Sequence, residues 1–113
     1  MKEVKAYIRC QKAESVIEAL ENNGIAGITL IDVMGVGQFA DPHSAKYSIK
    51  CVEKYSEVAK LEVVCGDDDA KKVVKTIQEI AFTGLKGDGI IYVSPVDIAI
   101  KIRTGVSGAD ALL

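Results

Sequence analysis

The chain has 113 residues, of which 49% are hydrophobic and 27% charged, and its formal net charge is −2. This length predicts a single domain, and the balance of apolar and charged residues excludes an intrinsically disordered chain. The absence of a basic surplus argues against non-specific nucleic-acid binding, and no apolar run approaches the roughly 18 residues that a membrane span needs.

The first half of the chain predicts two strands separated by a helix. Residues 2–9 alternate apolar and polar side chains, as a half-buried strand does, and residues 12–23 carry apolar side chains at helical spacing. Residues 27–36 are β-branched and apolar, which predicts a second strand. Residues 37–57 are polar without a clear period, so they predict a long functional or mobile loop, or else an extended β-hairpin.

The second half of the chain repeats the strand–helix–strand pattern. Its predicted elements are a strand at 58–65, a helix at 69–81, a strand at 90–95 and a short fifth strand at 97–103. The acidic turn at 66–69 supplies an N-cap and negative charge to the helix, which is a better interpretation than a cation site. The tail from Thr104 onward is predicted to be loosely ordered.

The order of these elements predicts the fold class. A β-α-β-β-α-β order is typical of the ferredoxin-like α+β fold, a four-stranded antiparallel sheet with two helices on one face. We expect one domain over 1–113, with a short extra C-terminal strand. The helices cover only one sheet face, so oligomerisation is expected to cover the other.

Three short segments are candidates for ligand binding. The turn Gly84–Gly89 contains three glycines, whose backbone N–H groups can converge on a phosphate, although a plain helix-to-strand connection also favours glycine. Strand alternation would place Lys101 and Arg103 on one face, as a phosphate-binding pair or as a solvated strand edge. Gly35-Val36-Gly37-Gln38 would allow a ligand to approach closely where the second strand ends.

No catalytic set stands out in the sequence, so an enzyme is not predicted. His43 beside Asp41 could bind a metal, but a solvated loop residue is the simpler interpretation, and the same holds for a redox role of Cys51. The three cysteines, which include Cys10 and Cys65 at strand ends, are odd in number and contain no CxxC motif. Together with the absence of a signal peptide, they predict a cytoplasmic protein with reduced thiols.

Two runs of the chain resemble signatures of the PII signal-transduction proteins. They are Thr83-Gly84-Leu85-Lys86-Gly87-Asp88-Gly89-Ile90-Ile91-Tyr92-Val93-Ser94-Pro95-Val96 and Lys101-Ile102-Arg103-Thr104-Gly105. The resemblance covers nearly the whole chain outside residues 38–57. It implies a ferredoxin-like homotrimer with adenine nucleotides in the clefts between subunits. Residues 37–57 would be the family's T-loop, which docks onto ammonium transporters and enzymes of nitrogen metabolism.

The resemblance also implies a set of nucleotide-binding residues. The turn at 83–90 would cradle phosphates, which Lys101 and Arg103 would reach, and Thr29, Glu62 and Val64 would surround the adenine. The implied residues are Thr29, Gly35, Gly37, Gln38, Glu62, Val64, Gly87, Asp88, Gly89, Ile90, Lys101, Ile102 and Arg103.

The chain departs from the family pattern at several positions. Ile90 stands where the family usually has a lysine, and Lys101 stands where it usually has an arginine. The tyrosine and serine that are modified in other members fall at Cys51 and Ile49. The glutamine that helps to hold magnesium and 2-oxoglutarate falls at Phe39, with Gln38 adjacent. A further lysine, which pairs with the 2-oxoglutarate carboxylate, falls at Val58.

These observations predict a regulatory protein that senses ATP or ADP, with AMP and magnesium as further candidate ligands, and that controls a partner protein. Valine at position 58 replaces the family's lysine, and this argues against standard 2-oxoglutarate sensing. The alternative is a PII-like sensor retuned to AMP, a cyclic nucleotide, bicarbonate or a metal. An enzyme or a purely structural trimer on the same fold is disfavoured by the missing acid–base pair and by the retained glycines.

Overall fold

Four strands and two α-helices form the main part of the structure. In the computed structural model, which describes residues 1–33 and 58–113, these elements are β1 (Lys2–Arg9), α1 (Cys10–Asn22), β2 (Ile28–Val33), β3 (Val58–Cys65), α2 (Asp67–Ala81) and β4 (Gly89–Pro95). The strands form one antiparallel sheet in the order β2-β3-β1-β4. The α+β ferredoxin-like fold predicted from the sequence is therefore confirmed.

The core lies between the sheet and the two helices. Alternate residues of β1 and β3 point toward the helices, and each helix turns an apolar stripe toward the sheet. The largest fully buried side chains are Leu20, Leu61, Ile77, Val4, Val16, Val63 and Val73. Burial of a side chain of this size stabilises the fold by about 1.5–3 kcal/mol.

Both helices begin two residues earlier than the sequence pattern predicts. The first helix starts at Cys10, and the second starts at Asp67 with Gly66 as its N-cap. The three aspartates at 67–69 therefore lie in the first turn of α2, where the helix dipole favours negative charge. The predicted strand residues 34–36 and the predicted loop at 37–57 lie outside the described residues.

The C-terminal segment differs from the sequence prediction. Residues 97–103 do not form a strand, because their alternating isoleucines have no neighbouring strand to pair with among residues 1–33 and 58–113. Only a single bridge joins Ile100 to Ser107, and Lys101 N–H donates to the Val106 carbonyl across the resulting narrow hairpin. The tail is also more ordered than predicted, since it continues into a 3-10 helix at Gly108–Leu112.

Within residues 1–33 and 58–113, neither helix has the length and apolar character that crossing a membrane requires.

Candidate functional site

The glycine-rich turn between α2 and β4 is held in shape by hydrogen bonds to the carboxylate of Asp88, which belongs to the turn itself. The backbone N–H groups of Thr83 and Gly84 both donate to Asp88 Oδ2 at 2.9 Å, and the Thr83 hydroxyl donates to Asp88 Oδ1. These N–H groups would otherwise be available to a bound anion. Asp88 therefore fixes the shape of the turn from within, and any external phosphate would have to meet the far side of the turn, around Gly87 and Gly89.

Arg9, the last residue of β1, holds the same carboxylate from outside the turn. Its Nε donates to Asp88 Oδ1 at 3.2 Å, and its Nη2 donates to the Lys86 carbonyl at 2.7 Å. The Arg9 side chain is 13% exposed and that of Asp88 is 25% exposed, so the pair is largely shielded from solvent. A charge-assisted contact of this kind is stronger than a neutral one, and it ties the turn to the end of the central strand.

The hydrogen bonds around Asp88 keep it ionised. Partial burial of Asp88 favours the protonated form, but donors from Thr83, Gly84 and Arg9 outweigh that effect and lower its pKa to about 2. The turn therefore keeps its negative charge, and with it its shape, throughout the physiological pH range.

We expect Arg9→Gln to raise the pKa of Asp88 above about 2 while leaving it below the ordinary value of 3.8. The substitution removes one charged donor, but the donors of Thr83 and Gly84 remain. Carboxyl carbon chemical shifts, followed by NMR from pH 5 to pH 1.5, would measure the change. Lys5→Gln is the matched control, because Lys5 lies on the same strand but pairs with Glu3. An unchanged pKa of Asp88 in the Arg9 variant would contradict the proposed contribution of this contact.

Two of the predicted adenine-site residues lie together on the open face of the sheet, which is the face that the helices do not cover. Thr29 on β2 lies directly opposite Glu62 on β3, and Val64 follows two residues later on the same face. Lys60 also lies on this face, and its Nζ is 2.8 Å from Glu62 Oε1 and 5.7 Å from the centre of the Tyr7 ring. The hydrogen bond to Glu62 raises the pKa of Lys60. Glu62 is therefore already paired with a cation along its own strand.

The predicted phosphate residues lie at the other edge of the same sheet. Gly89 and Ile90 begin β4, and Ile90 is opposite Tyr7 on the open face. Two further strands separate β4 from Thr29 on β2. At about 4.8 Å per strand, Thr29 is about 14 Å from β4 across the sheet, whereas Glu62 and Val64 on β3 are about 10 Å from it. Within one chain, the predicted adenine residues thus lie on β2 and β3, and the glycine-rich turn adjoins the edge strand β4.

The predicted cationic pair is not arranged as the strand alternation suggested. Residues 102–104 form the turn of the C-terminal hairpin, so Lys101 and Arg103 are not alternate residues of one strand. Lys101 Nζ donates to the Leu113 backbone oxygen, while Ile102 is fully exposed. Within the described chain, no hydrogen bond or ion pair joins Lys101 or Arg103 to the glycine-rich turn.

Several predicted residues fall outside the described ranges. Gly35, Gly37 and Gln38 belong to this group, as do His43, Asp41 and Cys51. Among residues 1–33 and 58–113, no group of three or more His, Cys, Asp or Glu side chains is arranged to hold a metal ion. Cys10 is exposed at the start of α1, contrary to its predicted packing role, whereas burial raises the pKa of the Cys65 thiol.

Arg9 is the residue that sequence reasoning missed. It stands 79 positions from Asp88, and the segment around it predicts only a strand end. The strand register could have revealed it, since Ile8 pairs with Gly89 and Arg9 is therefore adjacent to Asp88. That register is a property of the folded sheet and not of either segment alone.

The fold and the turn define an α+β ferredoxin-like chain whose glycine-rich turn has its shape fixed by Asp88 and Arg9. The family model of nitrogen regulatory protein P-II matches residues 1–106. The chain is 37% identical over 112 residues to a nitrogen regulatory protein P-II of Bradyrhizobium diazoefficiens, covering 99% of this chain and 100% of the relative. It is 41% identical over 113 residues to nitrogen regulatory protein P-II 1 of Methanothermobacter thermautotrophicus, covering 99% and 97% of the two chains.

The chain belongs to the nitrogen regulatory protein P-II family. Another similar protein is the nitrogen fixation nifHD region glnB-like protein 1 of Methanococcus maripaludis, which is 40% identical over 111 residues, with 96% of this chain and 99% of the relative covered. Members of the family are regulatory signal transducers and not enzymes, they generally bind adenine nucleotides, and they form trimers that interact with partner proteins.

Proposed function

We propose that this protein senses the adenine-nucleotide state and transmits it to a partner protein through residues 37–57. The observation that carries the proposal is the turn at 83–90, whose shape is fixed in advance by Asp88 and Arg9. A preorganised turn loses little conformational entropy when an anion binds. The backbone around Gly87 and Gly89 is the phosphate-binding part in this proposal.

The proposed nucleotide site lies between two subunits. The adenine would lie near Thr29, Glu62 and Val64 of one copy, and the phosphates would meet the turn of a neighbouring copy. The separation of Thr29 from β4 by two intervening strands supports this arrangement. Lys101, Ile102 and Arg103 then contribute only after their hairpin meets the neighbour.

The nucleotide preference follows from the residues that face the turn. Ile90 lies beside the turn and supplies no positive charge to a terminal phosphate. Val58 is buried and offers no cation to a dicarboxylate. We therefore propose that ATP, ADP and AMP bind with similar affinity and that 2-oxoglutarate does not strengthen binding. Magnesium would enter with the nucleotide phosphates, because Mg²⁺ is commonly bound through them.

The experiment is a calorimetric titration of the protein with ATP, ADP, AMP and cyclic AMP, each with and without magnesium and 2-oxoglutarate. The expected result is binding of adenine nucleotides that is indifferent to 2-oxoglutarate. No binding at millimolar nucleotide would overturn the proposal. Tight ATP binding that depends on 2-oxoglutarate would instead indicate the standard nitrogen signal.

The second candidate ligand is AMP or a cyclic nucleotide alone, which the apolar residue at position 90 favours. Binding of AMP or cyclic AMP with weaker or absent binding of ATP would select this candidate. The partner in either case is proposed to be an ammonium transporter or an enzyme of nitrogen metabolism. Nucleotide contacts would act by favouring one conformation of residues 37–57.

Restoring a cation beside the turn is expected to change the nucleotide preference. Ile90→Lys should raise the affinity for ATP about tenfold and the affinity for AMP less, since a charge-assisted contact to phosphate contributes about 1.5 kcal/mol. Calorimetry of both nucleotides measures the ratio. Ser94→Lys is the matched control, because it adds the same charge to the same face of β4, about 13 Å farther along the strand. An equal gain in both variants would show that net charge, and not position, is responsible.

A further inference from the structure

A cavity lies between α2 and β4, next to the glycine-rich turn. Its volume is about 310 Å³, and the turn contributes Asp88 and Gly89 to its wall. Most of the remaining wall is apolar and comes from β1, α2, the residue after α2, and β4: Ile8, Val74, Ile77, Ala81, Phe82 and Ile91. A mostly apolar cavity of about this size, with a few polar groups, is typical of a small-molecule site.

The cavity continues along α2 as a more open groove. The groove has a volume of about 260 Å³, and Val74 and Gln78 line both the cavity and the groove. Val93 of β4 adds another apolar side chain to the groove. The helix rises about 15 Å between Lys71 and Ala81, so the cavity and the groove together extend over about that length. We call them together the α2–β4 channel.

The two ends of the α2–β4 channel differ in charge. At the groove end it is lined by Lys71 and Lys75, which are both exposed. Lys71 forms no hydrogen bond or ion pair with another described residue, and Lys75 has one solvent-exposed contact, 4.0 Å from Glu79, which contributes little. At the other end, the carboxylate of Asp88 is already bound within the turn. The positive charge at the groove end is therefore available to a ligand.

An exposed aromatic ring adds to the apolar surface of the α2–β4 channel. Phe82 directly follows α2 and is 67% exposed. Its ring lies against the glycine-rich turn, since an added Cβ atom at Gly84 would be 3.4 Å from it. Apolar surface of this kind gains free energy when another apolar group covers it. An apolar occupant of the channel would therefore be stabilised by the contact with Phe82.

The α2–β4 channel lies on the side of the sheet that the helices cover. Ile8 is buried beneath the helices, and Ile91 is opposite Ala6, which points to the same side. The predicted adenine residues Thr29 and Glu62 lie on the other face. Because the helices leave that other face open, we expect trimer formation to cover it and not the channel.

We propose that the α2–β4 channel binds a medium-chain fatty acid, with the acyl chain along the apolar wall and the carboxylate beside Lys71 and Lys75. A neutral apolar molecule would leave the two lysines unused, and a small polar anion would leave the apolar wall uncovered. A fatty acid matches both features. The length of about 15 Å corresponds to an extended chain of about ten to twelve carbons.

Three probes test which part of the ligand is recognised. Decanoate carries the chain and the carboxylate, 1-decanol carries only the chain, and butyrate carries the carboxylate on a short chain. Calorimetric titrations are made without nucleotide and below the concentration at which decanoate forms micelles. We expect decanol and butyrate to bind at least about fivefold more weakly than decanoate. In NMR spectra, decanoate should shift the backbone amide signals of Gln78 and Phe82.

Gln78→Trp tests the position of the ligand. Gln78 is exposed and lines both parts of the channel, so an indole ring there would fill the channel without entering the core. We expect the affinity for decanoate to fall at least about tenfold. Ser15→Trp is the matched control, because Ser15 is an exposed residue of α1 that does not line the channel. Circular dichroism confirms that both variants are folded.

Lys71→Gln/Lys75→Gln tests the position of the carboxylate. The affinity for decanoate should fall about fivefold, as expected for the loss of solvent-exposed ion pairs, while the affinity for 1-decanol should not change. Lys5→Gln/Lys12→Gln removes the same charge outside the channel and should change neither affinity.

Four results would overturn the proposal. They are the absence of decanoate binding at millimolar concentration, equal affinities for decanoate and either of the other probes, an unchanged affinity for decanoate in Gln78→Trp, and an equal loss of decanoate and decanol binding in Lys71→Gln/Lys75→Gln. Because nucleotide is absent from these titrations, a failure here is distinguishable from a failure of the proposed nucleotide binding.

Discussion

Gly89→Ala is expected to lower the free energy of unfolding by about 4 kcal/mol. A Cβ atom at position 89 would lie 1.7 Å from the Tyr7 carbonyl oxygen, a distance at which β4 must move away from β1. The backbone there also has φ of +107°, which L-residues rarely adopt. The substitution therefore loosens the strand pairing and distorts the adjoining turn at once. Urea unfolding followed by circular dichroism measures the loss.

Gly24→Ala separates these two causes. Gly24 has φ of +79° after α1, but an added Cβ would have no atom within 4 Å. Only the backbone conformation is then unfavourable, and we expect a loss of about 1–2 kcal/mol. If Gly89→Ala and Gly24→Ala cost the same, the contact with the Tyr7 carbonyl would not be the dominant effect.

Asp88→Asn is expected to lower the free energy of unfolding at pH 7 by about 2–3 kcal/mol. The amide keeps the shape of the side chain but loses the negative charge that faces Arg9 and the N–H groups of Thr83 and Gly84. The turn then loses its fixed shape, so the affinity for adenine nucleotides should fall as well. Urea unfolding and calorimetry test the two effects separately.

The pH dependence of stability provides a second measurement of the same interaction. The pKa of Asp88 is about 2 in the folded chain, below the ordinary value of 3.8. A carboxyl with a lowered pKa stabilises the fold fully above its unfolded pKa, and this stabilisation is lost as the pH falls from about 4 to 2. The unmodified chain should therefore lose about 1–2 kcal/mol more than Asp88→Asn across that range.

Asp97→Asn is the matched control for both measurements. Asp97 is exposed and forms no hydrogen bond or ion pair with another described residue. Its substitution should change the free energy of unfolding by less than about 0.5 kcal/mol at either pH. Parallel pH profiles for the unmodified chain and Asp88→Asn would assign the acid sensitivity to other groups.

The regular elements were predictable because the spacing of apolar residues within each segment reflects which of its faces is buried. Alternation gave β1 at 2–9 and β3 at 58–65 with the bounds that the structure has. The helical spacing located both helices to within two residues, although neither helix has a side-chain cap to mark its start. At 97–103 the alternation of apolar and polar residues wrongly predicted a strand. Such alternation indicates that one face of a segment is apolar, but it does not show whether a neighbouring strand is present.

The candidate site was predictable only where it lies within one segment. Three glycines between Gly84 and Gly89 are close together in the chain, so the sequence pattern indicates the turn directly. The contact that fixes the turn, in contrast, joins residues 79 positions apart. The grouping of Thr29 with Glu62 likewise depends on the register of two strands.

The amino-acid sequence alone was sufficient for the order of strands and helices and for the place of the glycine-rich turn, because both depend on near neighbours in the chain. Which distant residues meet was determined only by the folded arrangement. Folding placed Arg9 on Asp88, and it placed Thr29 opposite Glu62 on the neighbouring strand. The physical reason is that strand register and helix placement are set by burial of the whole core, which no local pattern contains.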